Sequence, residues 1–544
     1  MLNTWRPRLL GAALVAVLAA AGCFNFDEAK QVCETTGNCV KPDGGLPCKF
    51  EDNNDEPDDD FRDLNCDGVD GMLDGGIFVD PVRGTDDGAG TADAPLKTLT
   101  EALNRARAPN APKRVYLAQG AYNESGLVID NQVALHGAYG GRDNRWERGG
   151  GYTSFLDGGP VGLVIRNIAS GSGTVLDHLT VQSANATEPG TASIALQVVD
   201  SQDVLLRRST FVAGLGAPGY AGDAGTPGLD GGVGSPGGNA TVNNPGRYGA
   251  GGTSLCNDVN ASGGNGDDGA PTGNISEPGK PGSSGLPSGL GGSGGPGGAA
   301  GVTTPGAPVS CTAGTGMPGT AGTPGDGGTP GSSGSGMGEL RNTLWVANQQ
   351  GGPGTAGSPG SGGGGGGSGG ACKRETVNAT TIEGAAGGGS GGGGGGGCGG
   401  GAGNGGGGGG ASIAVMLVRS NVQFAGDTVL RTRGGGRGGA GGEGGAGGVG
   451  GTGGLGGRRG TNLQELYLSY GGDGGTGGPG GNGGPGGPGG GGGGGPSVGI
   501  WCSTDAGYIG SPTFQVGDGG VGGLPGTGGN AGQPGPRIDS QGCP

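Results

Sequence analysis

The sequence predicts an all-β protein, a right-handed parallel β-helix solenoid that carries long glycine-rich insertions. Between Ile77 and Val212, short apolar runs place a β-branched or leucine residue at every second position, which is the period of a β-strand. These runs recur roughly every 20 residues, as successive coils of a stacked array do. Beyond Ala213 the composition changes, and most of the 155 glycines of the 544-residue chain lie there.

Four runs define the predicted coils: Gly162–Ile168, Thr174–Val181, Ser193–Val199 and Asp203–Val212. No single coil can bury its apolar face alone, so neighbouring coils must stack about 4.8 Å apart to form a core. The side chains expected to point into that core are Val175, Leu176, Leu179, Val181, Ile194, Leu196, Val198, Val204, Leu206 and Phe211.

A helix is predicted ahead of the coils. Residues Pro95–Ala106 begin with proline, and Leu96, Leu99 and Leu103 share one face. Such a helix would cover the open end of the solenoid, where unpaired strand edges otherwise invite aggregation.

The stretch FVDPVRGTDDGAGTADAPLKTLTEAL, followed by VYLAQGAYNE, resembles the opening of bacterial pectin-lyase-like β-helix proteins. It is most similar to a group of unknown function whose members begin FVxxxGxDxxxGTxxxPxKTL. The resemblance covers about 135 residues and implies the fold. It says little about activity, because this fold hosts lyases, hydrolases and inert surface proteins alike.

The N-terminus resembles a bacterial lipoprotein signal. Arg6 and Arg8 precede the apolar run Leu9–Ala21, which is too short for an ordinary membrane span, and small residues lead to Cys23. The resemblance implies that Cys23 is lipidated, palmitate included, and becomes the mature N-terminus. Phe24 after that cysteine argues against retention in the inner membrane. A plain secretory signal with a chance cysteine is the alternative.

Ten cysteines remain after Cys23, an even number that suits an exported, oxidising environment. Pairing of sequence neighbours is the simplest expectation, although spacing does not fix connectivity. Those pairs are Cys33 with Cys39, Cys48 with Cys66, Cys256 with Cys311, Cys372 with Cys398, and Cys502 with Cys543. Zinc is disfavoured because the chain has no CxxC motif and only two histidines.

A calcium loop is predicted inside an acidic stretch. The segment DLNCDGVDGMLD places Asp63, Asn65 and Asp67 at alternate positions, then Gly68, and Asp74 at the twelfth position. Calcium loops need oxygen ligands at positions 1, 3 and 5, glycine at 6 and a carboxylate near 12. Aspartate stands where an EF-hand has glutamate, so the segment is more similar to calcium loops of exported bacterial modules. The surrounding acidic residues, Glu51–Asp60, are interpreted as a solvated linker.

The glycine-rich half has a period of three. Glycine recurs every third residue from Gly216 to Gly237, and the unit becomes GGX from Gly435 to Gly457 and from Gly471 to Gly490. Three structures compete: disorder, a collagen triple helix, and extended polyproline-II-like arms packed within one chain. The runs are short and poor in proline for collagen.

Apolar segments interrupt the glycine repeats and are interpreted as further coils: Gly338–Asn348, Arg374–Glu383, Ala411–Thr432, Thr461–Tyr470 and Ser497–Val516. One of them, ASIAVMLVRSNVQFAGDTVLRT, echoes ASIALQVVDSQDVLLRRSTFVAG. The alternation resembles the glycine-repeat surface proteins called PE-PGRS-like, although the N-terminal domain of that family is absent.

The chain is thus divided into a signal peptide (residues 1–22), a cysteine-containing acidic linker with a possible calcium loop (23–76), the cap and first coils (77–213), and glycine repeats interleaved with coils (214–544). A net charge of −16 opposes nucleic-acid binding.

We expect a lipid-anchored protein of the cell envelope, at the outer membrane or cell surface, with a structural or adhesive role and no catalysis. Its expected partners are the membrane, and envelope polysaccharide or neighbouring surface proteins; Ca²⁺ is the only cofactor expected.

The alternative is a polysaccharide lyase or glycoside hydrolase acting on the β-helix face. In that alternative, Asp177 and Asp200 would stack on successive coils. The other candidates are Asp157, His178, Asp203, Arg207 and Arg208. His136 is expected to be structural.

Overall fold

The computed structural model describes residues 38–40, 47–171, 173–348 and 350–544. It contains one α-helix, α1 (Leu99–Ala106), and 3-10 helices at Leu73–Gly75 and Arg142–Asn144 among these residues. Its strands, numbered in chain order, are β1 Asn38–Val40, β2 Pro47–Lys49, β3 Gly76–Val79, β4 Arg114–Ala118, β5 Gly120–Tyr122, β6 Val128–Ile129, β7 Ala134–Tyr139, β8 Ser154–Gly158, β9 Val161–Arg166, β10 Thr174–Asp177, β11 Leu179–Ser183, β12 Ser193–Val199, β13 Val204–Arg207, β14 Thr210–Leu215, β15 Leu255–Cys256, β16 Val259–Asn260, β17 Val302–Thr304, β18 Val309–Thr312, β19 Glu339–Arg341, β20 Leu344–Val346, β21 Glu375–Val377, β22 Thr380–Ile382, β23 Ser412–Val418, β24 Asn421–Ala425, β25 Val429–Gly434, β26 Thr461–Gln464, β27 Tyr467–Tyr470, β28 Ser497–Cys502, β29 Gly507–Ile509, β30 Thr513–Gln515 and β31 Arg537–Gln541.

Three parallel sheets form a parallel β-helix, as the sequence predicts. The first sheet has the order β29-β24-β13-β10-β7-β4-β3, the second β30-β25-β14-β11-β8-β5, and the third β31-β28-β23-β12-β9-β6. Each coil visits the three sheets in turn, and each strand pairs in parallel with its counterpart one coil away. For example, Leu176 lies between Leu135 and Leu206.

The core fills the interior of the coils. Leu176, Leu179 and Val181 are buried in it, as expected. Val175 is only half-buried. Ile194 packs instead in a second cluster with Trp345 and Trp501, on the outer side of the third sheet.

The remaining predicted core residues that belong to the main cluster are Leu196, Val198, Val204, Leu206 and Phe211.

Helix α1 covers the first coils, and its buried residues Leu99, Ala102 and Leu103 belong to the main core. It begins later than the predicted Pro95, because Thr98 caps it by accepting a hydrogen bond from the Glu101 N–H. Leu96 is buried but extended, bridged in parallel to Val79. The amphipathic pattern therefore identified the buried face correctly and the first turn wrongly.

The later coils are only partly as predicted. Segments Ala411–Thr432 and Ser497–Val516 are coils, and the sequence echo is structural, because Ser193 pairs with Ser412 in register. The predictions of coils at Gly338–Asn348, Arg374–Glu383 and Thr461–Tyr470 are wrong. Each is an antiparallel hairpin, β19–β20, β21–β22 and β26–β27, joining two glycine-rich arms. Their strands have only three or four residues and a tight turn, which suits a hairpin rather than a full coil.

Every long glycine-rich insertion starts at one corner of the solenoid. The chain leaves the second sheet after Leu215 and returns to the third at Ser412. It does so twice more, from Gly434 to Ser497 and from Gln515 to Arg537. The insertions thus project from the same edge of successive coils. We call residues 216–411, 435–496 and 516–536 together the glycine bundle.

The arms of the glycine bundle pack through their backbones. Gly219, Gly222 and Gly225 donate hydrogen bonds to the carbonyls of Arg437, Ala440 and Glu443, and this ladder continues at every third residue. A step of three residues on both arms is the repeat of a polyproline-II helix. Of the three structures considered for the glycine repeats, the structure shows polyproline-II-like arms packed within one chain.

Four disulfides are described. Cys48–Cys66 and Cys502–Cys543 confirm the prediction. The pairs Cys256–Cys311 and Cys372–Cys398 are wrong: Cys256 bonds Cys398, and Cys311 bonds Cys372. The reason is that the bundle brings arms far apart in sequence side by side. The predicted pair of Cys33 with Cys39 lies outside the side chains that the structure describes.

Candidate functional site

A row of polar side chains crosses the outer face of the first sheet. His136 on β7, Asp177 on β10 and Arg207 on β13 occupy the same register position on successive strands. Their inward neighbours Leu135, Leu176 and Leu206 lie in the core, so strand alternation turns these three outward. The sequence does place Asp177 on this face, but the partner proposed for it was wrong. Asp200 lies after the third sheet and pairs with Arg419 at 2.6 Å.

Asp177 is the centre of this row. Its carboxylate lies 3.2 Å from His136 Nδ1, 2.9 Å from His178 Nδ1 and 2.8 Å from Arg207 Nε. Burial alone would raise the pKa of Asp177, but hydrogen bonds from His136, His178 and Arg207 outweigh it, and the pKa lies well below its usual range. Asp177 is therefore an ionised, fully paired group.

His136 is buried and neutral. Burial lowers its pKa to about 4, against the opposing effect of Asp177. Its Nε2 atom is buried without a hydrogen-bond partner among the described residues. The expected structural role of His136 agrees with this environment.

Arg148 joins this row to the N-terminal part of the chain. Its side chain is fully buried, with Nη2 2.6 Å from Asp177 and Nη1 2.9 Å from Asp70. The guanidinium also lies over the rings of Phe61 and Tyr139, 5.4 and 5.2 Å from their centroids. We call Asp70, His136, Arg148, Asp177 and Arg207 the charge cluster. Two aspartates face two arginines in it, so the buried charges balance.

Residues 55–73, which we call the cover, contribute Asp70 to the charge cluster and lie over its other members. Arg207 donates to the Pro57 carbonyl at 2.6 Å, and Arg148 donates to that of Asp58 at 3.1 Å. Arg208 forms an ion pair with Asp59. The expectation of a solvated linker at Glu51–Asp60 is therefore wrong in part, because Asp55 and Pro57 are buried.

The opposite edge of the cover is fixed to the first coils by tyrosines. Tyr139 Oη donates to the Asp70 carbonyl at 2.6 Å, and Met72 N donates to Tyr116 Oη at 2.9 Å. No local sequence pattern indicates these contacts, since they join residues far apart along the chain.

A cleft of about 600 Å³ lies between the cover and residues 142–148. Phe61, Arg145 and Trp146 beside it have positive φ angles of 57°, 51° and 58°, an unfavourable conformation for bulky residues. The charged residues that line the cleft are Asp63, Asp67, Asp70, Asp93, Arg142, Asp143, Arg145, Glu147 and Arg148. Carboxylates outnumber arginines, so the cleft favours a cation over an anion.

The predicted calcium loop folds as a compact turn in the cover. Asp63 accepts hydrogen bonds from the N–H groups of Asp67 and Gly68, and Gly68 has the positive φ of 100° that this position requires. Asn65 Oδ1 accepts from Asp67 N at 3.0 Å. Asp74 lies outside the turn, exposed on the 3-10 helix.

The carboxyl groups of this loop are not arranged as a complete ligand set. Among the residues that the structure describes, no group of three or more His, Cys, Asp or Glu side chains is placed to hold a metal ion. Burial raises the pKa of both Asp63 and Asp67, and repulsion from neighbouring carboxylates adds to it. The loop thus offers two carboxylates, an amide oxygen and backbone carbonyls. Calcium binding stays a prediction.

Asp55 is the member of this region that sequence reasoning missed. Its side chain is fully buried, and Oδ2 accepts hydrogen bonds from Leu64 N and Gly71 N. Its Oδ1 has no hydrogen-bond partner among the described residues. Burial raises the pKa of Asp55 to about 6. The sequence does not distinguish this buried aspartate from the exposed acidic residues around it.

Comparison with known proteins identifies one related family. Residues 82–186 match the model of a family described as a protein of unknown function, DUF1565. The match includes α1, Arg148 and Asp177, but it leaves out the cover, Arg207 and the glycine bundle. No curated protein matches, and neither does any solved structure.

The predicted signal peptide, residues 1–22, and the predicted lipidation site Cys23 lie outside the described residues. In the part of the chain that is described, no helix is long and apolar enough to cross a membrane.

Proposed function

We propose that this protein is an exported, lipid-anchored component of the cell envelope, with a structural or adhesive role and without catalysis. The observation that carries the proposal is the glycine bundle itself. A large part of the chain forms ordered backbone that presents regularly spaced side chains, while the charged groups on the first sheet are buried under the cover.

Export is supported by the disulfides. Bonds such as Cys256–Cys398 and Cys311–Cys372 persist in oxidising compartments and are rare in the cytosol. These bonds indicate an extracytoplasmic location, and the lipid anchor at Cys23 is the finer part of the proposal.

The exposed surface of two neighbouring arms suits an extended polymer. Within 434–460 the third residue of each triplet is exposed, including Val449 (62%) and Leu455 (71%). On the adjacent arm, 471–496, the exposed positions include Thr476 and Pro479. With a rise of about 3.1 Å per residue, these side chains recur about every 9 Å. A regular row of exposed side chains can make many weak contacts along a repetitive chain such as an envelope polysaccharide.

The test of this surface is binding to purified envelope polysaccharide. We expect the double variant Val449→Arg/Leu455→Arg to weaken binding at least tenfold, because two bulky charges interrupt the row of contacts. Val82→Arg is the matched control, since Val82 is 74% exposed on the solenoid, and it should bind as the wild type does. Absence of binding by the wild-type protein, or equal binding by the double variant, would reject the adhesive role.

Anchoring is tested separately. Lipid chains stabilise membrane attachment by about 0.8 kcal/mol per buried methylene. Cys23→Ser should move the protein from the membrane fraction to the soluble fraction. Persistence of the variant in the membrane fraction would show that Cys23 is not the anchor.

A further inference from the structure

A short arm of the glycine bundle, residues 518–526, fills only part of the groove between two longer arms. Gly438 of the first long arm donates a hydrogen bond to the Val521 carbonyl of the short arm. Gly523 of the short arm donates to the Gly492 carbonyl of the second long arm. The short arm then ends in a turn, while the two long arms continue side by side beyond it.

The groove beyond that turn is formed by residues 444–457 and 474–487, and we call it the open groove. Its two walls pair with each other, as Gly483 N does with the Gly448 carbonyl. The first wall repeats, at every third residue, the triplet position by which Gly438 binds the short arm. The second wall likewise repeats the position of the Gly492 carbonyl.

These repeated positions in the open groove have no backbone partner among the described residues. The N–H groups on the first wall belong to Gly444, Gly447, Gly450, Gly453 and Gly456, and the carbonyls on the second wall belong to Gly474, Gly477, Gly480, Gly483 and Gly486. Gly450 N donates instead to the side chain of Asn482, at 2.9 Å from Oδ1. All ten glycines are half-buried.

A row of donors facing a row of acceptors favours an added strand of polypeptide. Backbone N–H and C=O groups require partners, and a strand that lies along such rows gains affinity through main-chain hydrogen bonds. The spacing of three residues, about 9 Å, is that of a polyproline-II strand. A β-strand alternates with a period of two residues and would not match these rows.

The short arm shows which sequence fits this groove. A Cβ atom at Gly523 would lie 1.9 Å from the Gly439 carbonyl oxygen, so the residue that donates to the second wall must be glycine. The position before that glycine is occupied by Pro525 in the last triplet. The position after it carries the exposed side chains of Val521 and Leu524. One glycine in every three residues is therefore the requirement.

The far end of the open groove is basic. A cleft of about 370 Å³ there is lined by Arg458, Arg459 and Asp473 together with backbone. Two guanidinium groups and one carboxylate line it, so it favours an anion. The short arm runs parallel to the first long arm, so a strand that continues its path would bring its C-terminal end to this cleft.

We propose that the open groove binds a glycine-rich polyproline-II strand of another polypeptide, with glycine at every third residue and a carboxylate near its C-terminal end. The strand continues the path of residues 518–526, accepts hydrogen bonds from the first wall and donates them to the second. Continuity with the contacts of the short arm identifies this kind of partner. The proposal concerns the backbone of the groove and does not rest on the proposed adhesive function.

The probe is a synthetic peptide of four Pro-Gly-Thr triplets followed by Pro-Gly-Asp, which repeats the last triplet of the short arm, Pro525–Thr527. At about 3.1 Å per residue it spans the open groove. Calorimetric titration into the mature, oxidised protein is expected to show one peptide bound. By nuclear magnetic resonance, the amides of Gly444, Gly447 and Gly453 should exchange at least tenfold more slowly with the peptide bound. The amide of Ala440, which lies outside the groove, should be unaffected.

The matched control is the same peptide with every glycine replaced by alanine. It keeps the length and charge but places a Cβ atom where the backbones must meet, so it should bind at least tenfold more weakly. Failure of the glycine peptide to slow exchange in the groove, or equal binding of both peptides, would overturn the proposal. Slowed exchange of the same amides with purified envelope polysaccharide, and none with the peptide, would also overturn it while leaving the adhesive function standing.

The basic end is tested by Arg458→Gln/Arg459→Gln, which should weaken binding of the glycine peptide at least threefold. Arg437→Gln is the control, because Arg437 is an exposed arginine of the same arm beside the short arm and should leave the affinity unchanged. Equal affinity of the double variant and the wild type would overturn the assignment of the C-terminal end to this cleft.

Discussion

At the scale of single residues, glycine in the bundle is required by the close approach of backbones. A Cβ atom at Gly393 would lie 2.0 Å from the Gly363 carbonyl oxygen and 2.6 Å from its carbon. Both contacts are with backbone atoms that hydrogen bonds hold in place, so the neighbour cannot yield as a flexible side chain would. The absence of a side chain, more than backbone freedom, explains the glycine here.

We therefore expect Gly393→Ala to lower the free energy of unfolding by about 1–3 kcal/mol or more, the usual cost of overpacking. Gly150→Ala is the control, because a Cβ there meets no atom within 4 Å. Alanine lowers the conformational entropy of the unfolded chain, so the stability of that variant should be unchanged or slightly higher. Denaturant unfolding of both measures the difference, and equal stability of the two would contradict the packing described.

The burial of His136 leads us to expect that the free energy of unfolding decreases in acid. Burial, together with the nearby charges of Arg148 and Arg207, lowers its pKa from 6.5 to about 4, although Asp177 acts in the opposite direction. Below pH 6.5, His136 therefore becomes protonated in the unfolded chain, whereas in the folded protein it stays neutral down to about pH 4. Stability contributed by neutral His136 is lost as the pH falls through this window, by up to about 3 kcal/mol.

The measurement is the free energy of unfolding of wild type and His136→Gln at intervals from pH 7 to 4. The variant lacks the titrating group, so its stability should fall less over that range. Parallel curves for the two proteins would assign the acid sensitivity to other groups.

At the scale of the arms, glycine content tracks depth in the bundle. The arm 216–237, with about one glycine per triplet, is largely exposed. The arm 435–457, with two, exposes only the third residue of each triplet. The stretches 361–371 and 385–397, almost all glycine with a few alanines and serines, are buried throughout. Because the arm has three residues per turn, each position of the triplet forms one of its three sides. A glycine at that position lets a neighbouring arm pack closely on that side.

Hydrogen bonding shows the same order. In the central arm, Gly391, Gly392 and Gly393 donate to Gly475, Ser235 and Gly264, which belong to three different arms. Ordering these residues costs roughly 1–2 kcal/mol each in backbone entropy. Satisfied backbone groups and close packing offset that cost.

This arrangement predicts a period of three in hydrogen exchange. Gly438 and Gly439 donate to Val521 and Gly407, while the third residue of the triplet, Ala440, is exposed. Amides at the second position of each triplet, which donate to a neighbouring arm throughout 435–457, should exchange slowly, while the amide of Ala440 should exchange quickly. The slowest exchange is expected in 388–406. Nuclear magnetic resonance resolves single amides. Uniform exchange at free-peptide rates through 434–460 would mean that the arms are unpacked in solution.

At the scale of the whole molecule, the solenoid and the glycine bundle are one structure. The coils fix both ends of each arm at the same corner, and the arms bond to arms from other coils, as Gly219 does to Arg437. Two disulfides tie the bundle internally, Cys256–Cys398 across 142 residues and Cys311–Cys372 across 61. Loops of that length give a cross-link its largest effect on the unfolded chain.

Removing the longer cross-link should destabilise the protein. We expect Cys256→Ser/Cys398→Ser to lower the free energy of unfolding by about 2–4 kcal/mol. The Cys48–Cys66 bond closes a span of only 18 residues, so Cys48→Ser/Cys66→Ser should cost less. Peptide mapping of the non-reduced wild type checks the connectivity, and recovery of a Cys256–Cys311 peptide would contradict it.

The sequence by itself determined the local patterns and the structure that each of them imposes. A period of two specified the strands of the solenoid, and the repeated ASIA run specified the register of Ser193 with Ser412. A period of three specified arms that approach one another through glycine. These patterns are local because strand alternation and the three-residue turn depend only on backbone geometry.

Tertiary structure alone decided which distant segments meet. Asp70 and Arg148 carry no local signal, because their roles come from the cover packing on a sheet whose strands lie up to 150 residues away. The short interruptions became hairpins rather than coils because each had to turn one arm into the next. Cys256 found Cys398 for the same physical reason: packing of backbones, rather than distance along the chain, sets the neighbours in the bundle.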